Sequence, residues 1–322
     1  MTKILITGGA GFIGSHLVDS LMANGHELVV VDNLSSGNMK NIARWIGNPR
    51  MKFIELDLLE LPETTKVLED CETVFHLAAN PEVRIGSIDP SVHYTQNIQT
   101  TFQLLEAVRK SGGVKRLIFT SSSTVYGEAP TPTREDYTSH GPISIYGASK
   151  LSCEALITAY ARSYGFNALI LRLANVVGPR SRHGVIYDFI QKLRRNPREL
   201  EILGDGAQRK SYLYVTDCVE ALLLGLNDFG RVDVFNVGSE DQVDIMTIAN
   251  IVAEEMGLDD VELKVTGGID GGRGWVGDVK NMLLDISKIR RIGWMPRFGS
   301  IESIRMATKA LIQEVNPTRL RA

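Results

Sequence analysis

The chain has 322 residues, 43% of them hydrophobic and 23% charged, with a formal net charge of −3. Such a chain buries roughly 75% of its unfolded surface as one large or two modest domains, in the composition range of ordinary globular proteins. No block of Lys and Arg offers a nucleic-acid surface, and no apolar run approaches the ~20 residues of a membrane span.

Apolar runs at Lys3–Thr7, Glu27–Val31, Lys52–Leu56, Thr73–His76, Arg116–Thr120 and Ala168–Leu173 read as strands. Helical patterns lie between them, most clearly at Phe12–Asn24, Ser91–Ser111 and Tyr146–Tyr164. This alternation predicts an α/β protein built on a doubly wound parallel sheet. After Asn175 the pattern becomes irregular. Residues 178–184 carry loop chemistry, and a short helix through Lys192 ends before Pro197. A later strand and helix, with Asp217 to Glu220 as a capping box, read as a return to the first domain near 212–237. Residues 266–275 are too rich in glycine for an element interior and read as a loop. The expected division is a sheet domain over 1–175 and a smaller, discontinuous domain mainly over 176–322.

Cys71, Cys153 and Cys218 are far apart and read as buried thiols of a reducing compartment, not as a disulfide framework or zinc site. His16, His26 and His76 lack metal-ligand spacing and are expected to be structural, so no metal is expected. The N-terminus enters a strand at once, leaving no room for a signal peptide, which makes a cytoplasmic location the expectation.

Gly8, Gly11 and Gly14 form a glycine-rich turn between the first strand and a helix opening with Phe12 and Ile13. In that context Gly8 makes the tight turn, Gly11 admits a pyrophosphate to the backbone, and Gly14 lets helix and strand pack closely. The free N–H groups of the helix N-terminus suit the anion. Asp32 follows the second strand, 18 residues beyond Gly14, where a carboxylate accepts from the adenosine ribose and repels a 2′-phosphate. No basic residue comes directly after it; Asn33, Ser35, Ser36 and Gly37 do, and NAD is the expected cofactor. Asp57 and Leu58, and then Leu77, Ala78 and Ala79, stand at further strand ends, where such sheets bind ligands.

Tyr146 and Lys150 lie four residues apart, on one helix face. A free phenol titrates near pH ~10, so a base working near neutrality needs a shift of about 3 units, about 4 kcal/mol. The Lys150 ammonium and a cationic nicotinamide both favour phenolate. Ser122, after the fifth strand, is placed to hold a substrate hydroxyl. The three form a candidate proton-transfer site, against the alternative of an amphipathic helix with Lys150 in solvent.

The motifs 7–14, 76–79, 121–127, 146–150 and 172–175, taken in order, resemble the extended short-chain dehydrogenase/reductase family, in its nucleotide-sugar epimerase branch. The resemblance runs nearly end to end. It implies a Rossmann-type fold, an NAD-binding first domain and a UDP-sugar-binding second one. Ser122, Tyr146 and Lys150 would be the catalytic residues, with Ser123 and Thr124 near the sugar and Asn97 near the nicotinamide. It also implies Asn175 at a diphosphate oxygen and Val185 with the Glu201–Leu203 segment walling the nucleotide. The phosphate cation is left open. Lys210 takes the usual Arg position with Arg209 before it, and Arg273 stands two positions earlier than usual relative to Asp278. A homodimer through the two long helices is implied as well, with Phe102, Leu105, Leu156 and Tyr160 serving either that contact or the core.

Relatives that eliminate water or carbon dioxide typically carry an acid where this chain has Ser123-Thr124. Without a carboxyl proton carrier, epimerisation is favoured. Alternatives are another UDP-sugar such as the glucuronate or an N-acetylhexosamine, a dehydratase, decarboxylase or reductase, and a nucleotide-sensing module.

Overall fold

The computed structural model describes residues 3–139 and 141–315. They divide into two compact units. The first comprises residues 3–125, Ile145–Arg172 and Val219–Phe235; the second comprises Tyr126–Ser144, Leu173–Cys218 and 236–315, His140 aside.

The elements run β1 (Lys3–Thr7), α1 (Phe12–Ala23), β2 (Glu27–Asp32), β3 (Met51–Glu55), α2 (Leu61–Val67), β4 (Cys71–His76), α3 (Ser91–His93), α4 (Thr100–Ser111), β5 (Arg116–Ser122), α5 (Ile145–Tyr164) and β6 (Asn167–Leu173). They continue with β7 (Asn175–Val177), α6 (Val185–Arg195), β8 (Glu199–Ile202), β9 (Arg209–Lys210), β10 (Tyr212–Tyr214), α7 (Val215–Leu223) and β11 (Val232–Val237). The last are β12 (Val243–Asp244), α8 (Ile245–Glu255), β13 (Glu262–Val265), β14 (Asn281–Met282), α9 (Ser287–Arg290) and α10 (Ser300–Val315).

Seven strands form the parallel Rossmann-like sheet, in the order β11-β6-β5-β4-β1-β2-β3. Its strands are apolar on both faces, as a sheet covered by helices requires: Val29, Val30 and Val31 are all nearly inaccessible. Leu104 and Leu105 of α4 and Ile157 and Ala161 of α5 pack on one face, against Val74, Leu117, Phe119 and Ile170. The strand order reverses between β1 and β4, and ligands of doubly wound sheets bind at that switch point. His76 ends β4 there, fully buried, with Nδ1 on the Thr7 hydroxyl at 2.8 Å and Nε2 on the Thr101 hydroxyl at 3.0 Å. Burial and the Lys150 charge push it down to about 3, so it is a neutral structural bridge.

Three expectations need correction. The helix over 91–111 is interrupted: α3 passes through a π-helical stretch, Tyr94–Gln99, before α4 begins. The wider turn is stabilised by the Thr100 hydroxyl, which donates to the Thr95 carbonyl at 3.0 Å, and it carries the buried Asn97. Asp217 caps nothing, because α7 starts two residues before it. Its carboxylate instead accepts from Arg297 N at 2.9 Å, Arg297 Nε at 3.0 Å and Phe298 N at 3.3 Å.

The third correction concerns residues 126–144, which sit with the second unit and not inside a 1–175 domain. Asn236, wholly buried, fastens them: its Oδ1 accepts from the Tyr126 hydroxyl at 2.7 Å, and its amide donates to Thr133 O at 2.9 Å. The chain re-enters the first unit at Val219–Phe235, inside the expected 212–237.

Of the apolar side chains on the two long helices, Leu105 belongs to the unit's own core, and Leu156 and Tyr160 pack against it. Phe102 remains 40% exposed, edge-on to Tyr160. No helix among the described residues is long and apolar enough to cross a membrane.

Asp217→Ala strands two backbone N–H groups near Trp294, so it should cost about 2–3 kcal/mol, read as a lower denaturant midpoint with unchanged m-value.

Candidate active site

Gly8 turns the chain out of β1 with φ +69°, and a Cβ there would lie 2.7 Å from the backbone N of Ala78. At Gly14 a Cβ would meet the Gly8 carbonyl at 2.1 Å, so α1 approaches the loop as closely as glycine alone permits. The loop is thus pressed onto the 77–79 segment at the switch point, leaving Phe12 and Ile13 partly exposed at the start of α1. Asp32 is buried at the end of β2 and folds back on the loop, accepting from Ala10 N at 2.9 Å and Leu34 N at 2.8 Å. Burial raises its pKa, and the amides of Leu34, Ala10 and Gly11 pull it back. Gly37 is needed beside it, because a Cβ would come within 2.7 Å of Asp32 Oδ1.

Asn33 donates to Asp57 Oδ2 at 3.1 Å and accepts the Ser35 hydroxyl at 2.7 Å, which ties the ends of β2 and β3 together; Ser36 is exposed. Leu58 turns into the core, so its side chain is a packing group. Glycine turn, buried carboxylate and small residues at 78 and 79 fit a dinucleotide with a free ribose 2′-hydroxyl.

The chemistry-bearing residues converge where β5 meets α5. Ser122 donates to the phenol of Tyr146 and accepts from Thr124 N at 3.2 Å and the Thr124 hydroxyl at 2.9 Å. Lys150 is buried; its ammonium donates to Thr120 O at 2.9 Å and lies 4.8 Å from the Phe119 ring centre and 5.9 Å from that of Tyr146. Burial pushes Tyr146 up to about 12, with Ser122 pulling it back. Burial likewise pushes Lys150 down to about 8, opposed by Cys153 and Glu154. In the protein by itself desolvation governs the phenol, and the lowering comes from the Ser122 hydrogen bond. Ser123 is buried beside this group.

Asn97, from the π-helical turn, fixes the other side. Its Oδ1 accepts from Asn80 N at 2.8 Å, so its amide donates, to Ser149 Oγ at 2.9 Å and His93 Nδ1 at 3.2 Å. Ser149 passes the direction on, donating to Tyr146 O at 2.7 Å, and the His93 ring stands edge-on to Tyr146 at 5.5 Å. Asn80, His93 and Ser149 were not singled out from sequence. Ser149 lies inside a legible motif, but Asn80 acts through its backbone and leaves no side-chain signal.

The second unit holds the remaining cations. Lys210 pairs with Asp278 at 2.6 Å and lies 5.3 Å from the Trp275 ring centre. The other Asp278 oxygen accepts from Gly274 N at 3.1 Å, and its carbonyl accepts from Arg273 Nε at 3.1 Å. Arg273 also pairs with Glu128 at 2.8 Å. Arg209 is exposed. Asn175 donates its amide to Ser211 O at 3.2 Å, Val185 packs on the second core, and Gln208 Nε2 donates to Leu203 O at 2.9 Å. Glu201 points outward to Lys192 at 2.8 Å.

Residues 4–238 match the family model described as the NAD dependent epimerase/dehydratase family. The chain belongs to that family. It is an enzyme of the extended short-chain dehydrogenase/reductase type, and its cofactor is NAD. A UDP-glucose 4-epimerase of Mycolicibacterium smegmatis is 33% identical over 311 residues, 94% of this chain and 96% of its own. A crystal structure of a UDP-galactose 4-epimerase is similar at TM-score 0.86 and 45% identity, covering 97% of this chain and 99% of its own. A UDP-glucuronic acid 4-epimerase from Bacillus cereus, in complex with UDP-glucuronic acid and NAD, is similar at TM-score 0.87 and 31% identity, with the same coverage.

Burial of Lys150 carries a pH signature. Its folded pKa of about 8 lies below the ordinary lysine value of 10.5, so between those values the unfolded chain binds more protons and stability rises with pH. Tyr146 acts oppositely, lowering stability between pH 10 and about 12. Lys150→Met should therefore abolish turnover yet raise stability at pH 7 by up to roughly 3 kcal/mol, the gain shrinking toward pH 10. Melting curves from pH 7 to 10 check it.

Proposed function

We propose that this enzyme interconverts UDP-glucose and UDP-galactose, as a UDP-glucose 4-epimerase. One observation carries the reading: at the end of β5 Ser122 is hydrogen-bonded to Tyr146, the Lys150 ammonium stands on the Thr120 carbonyl 5.9 Å from the Tyr146 ring centre, and neither adjoining position, Ser123 or Thr124, is a carboxylic acid. The site thus has an acid–base group for a secondary alcohol and, at positions 123 and 124, no carboxyl proton carrier for eliminating water or carbon dioxide.

Gly8, Gly11, Gly14, Asp32 and the 77–79 segment are the residues that would hold NAD. Bound NAD supplies a carbon that takes up and returns hydride, and a positive ring whose field favours phenolate. Tyr146 takes the proton of the sugar 4-hydroxyl and returns it, Ser122 orients that hydroxyl, and Lys150 offsets charge on the phenol. The resulting 4-keto sugar turns within the site before reduction on its other face. Such a reaction needs the nucleotide gripped and the sugar loose, binding energy coming from the part that does not react. Asn175, Val185, Leu203, Arg209, Lys210 and Arg273 are assigned to the nucleotide. Of the three cations, the exposed Arg209 has the least to give up on meeting a phosphate, since Lys210 and Arg273 are already paired with carboxylates.

The similarity to a UDP-glucuronic acid 4-epimerase supports a second reading, the same reaction on the glucuronate. A homodimer through α4 and α5, using the exposed Phe102 and Tyr164, belongs to the same proposal.

Purified enzyme given UDP-galactose with NAD should form UDP-glucose, and UDP-glucuronate and UDP-N-acetylglucosamine in parallel identify the preferred sugar. Absence of any 4-epimer, or release of a stable 4-keto-6-deoxy sugar, would sink the reading. Tyr146→Phe should lower kcat roughly 100- to 10,000-fold while NAD binding, followed by calorimetry, persists.

A further inference from the structure

The end of β5 is attached to α5 at three consecutive residues, and the third attachment has no assigned role. Thr120 offers its carbonyl to Lys150 at 2.9 Å, Ser122 its hydroxyl to Tyr146, and Ser121 its hydroxyl to Glu154 at 2.5 Å. The helix partners are spaced four residues apart, 146, 150 and 154, so they form one stripe along α5. Glu154 is itself fixed from β6. Its Oε2 accepts from Arg172 NH2 at 2.7 Å and its Oε1 from Arg172 Nε at 3.0 Å, both side chains being 6% exposed.

A buried carboxylate with a two-point arginine partner has little positional freedom. The Ser121 hydroxyl is therefore held at a point set by β6 and α5 together. Ser121 precedes Ser122 in an extended strand, where a shift of one residue's backbone displaces the next. We infer that Glu154, held by Arg172, is a positioning residue that sets, through Ser121, the distance between Ser122 and Tyr146. The negative charge one helical turn from Lys150 also opposes the effect of burial on that ammonium.

The inference rests on the proposed Tyr146–Ser122 chemistry, and the test separates the two. Ser121→Ala leaves the ion pair intact and removes only its hold on β5. Its kcat should fall roughly 10- to 100-fold, as misplacement of a reacting group by a fraction of an ångström to one ångström does, with KM and NAD affinity within about twofold of wild type. Hydrogen–deuterium exchange of the peptide spanning 120–126, measured without substrate, should be faster.

The double variant Glu154→Leu/Arg172→Met removes both charges, avoiding a lone buried ion. It should show the same kcat loss, and adding Ser121→Ala to it should cost nothing more. Wild-type kcat and exchange in Ser121→Ala, or losses that multiply in the triple variant, would overturn the inference. If wild-type protein itself turns over no UDP-sugar, the proposed function fails, while the exchange measurement still decides whether Glu154 holds this strand end.

Discussion

Burial of charge at the junction of β5 and α5 is the constraint on which the rest of the site depends. Lys150, Glu154 and Arg172 are all nearly inaccessible, and each is retained because a specific partner meets it. The ammonium has the Thr120 carbonyl and two aromatic rings, and the carboxylate has the guanidinium and the Ser121 hydroxyl. Desolvation strengthens every one of these contacts and penalises loss of any partner. It also sets the protonation states that the chemistry must work against, with the phenol held neutral and the ammonium weakened.

The cofactor end shows the same economy of space on an uncharged scale. At Gly8, Gly14 and Gly37 a single added carbon would meet a neighbour at 2.7, 2.1 and 2.7 Å. Asp32 is drawn inward by the loop amides, so one carboxylate both holds the turn and presents an acceptor at the end of β2. In the proposed site the atoms that pack the switch point are the ones that would meet the cofactor, which leaves little room for substitution.

Much of this was legible from sequence where the signal is local. The glycine turn, Asp32 and the four-residue spacing of Tyr146 and Lys150 are each contained in a short segment, and six strands were placed to within two residues of their observed ends. What was not legible depends on partners distant in the chain. The π-helical turn serves Asn97, whose contacts come from Asn80 and Ser149. Residues 126–144 are assigned to their unit by Asn236, about a hundred residues on, and Asp217 is claimed by Arg297 and Phe298. Lys210 and Asp278 pair across 68 residues, so their mutual neutralisation is invisible in either motif. The burial that raises Tyr146 is not legible for a related reason, since desolvation sums over every atom that surrounds the ring.

The central claim is that hydride leaves the sugar and returns within one closed site, with Tyr146 handling only the hydroxyl proton. The most direct measurement is conversion of UDP-galactose in deuterium oxide, with the product examined by NMR. The account predicts UDP-glucose carrying ordinary hydrogen at C4, because the hydride never exchanges with solvent. Deuterium at C4 would contradict it and indicate that a carbon-bound proton, not a hydride, is removed.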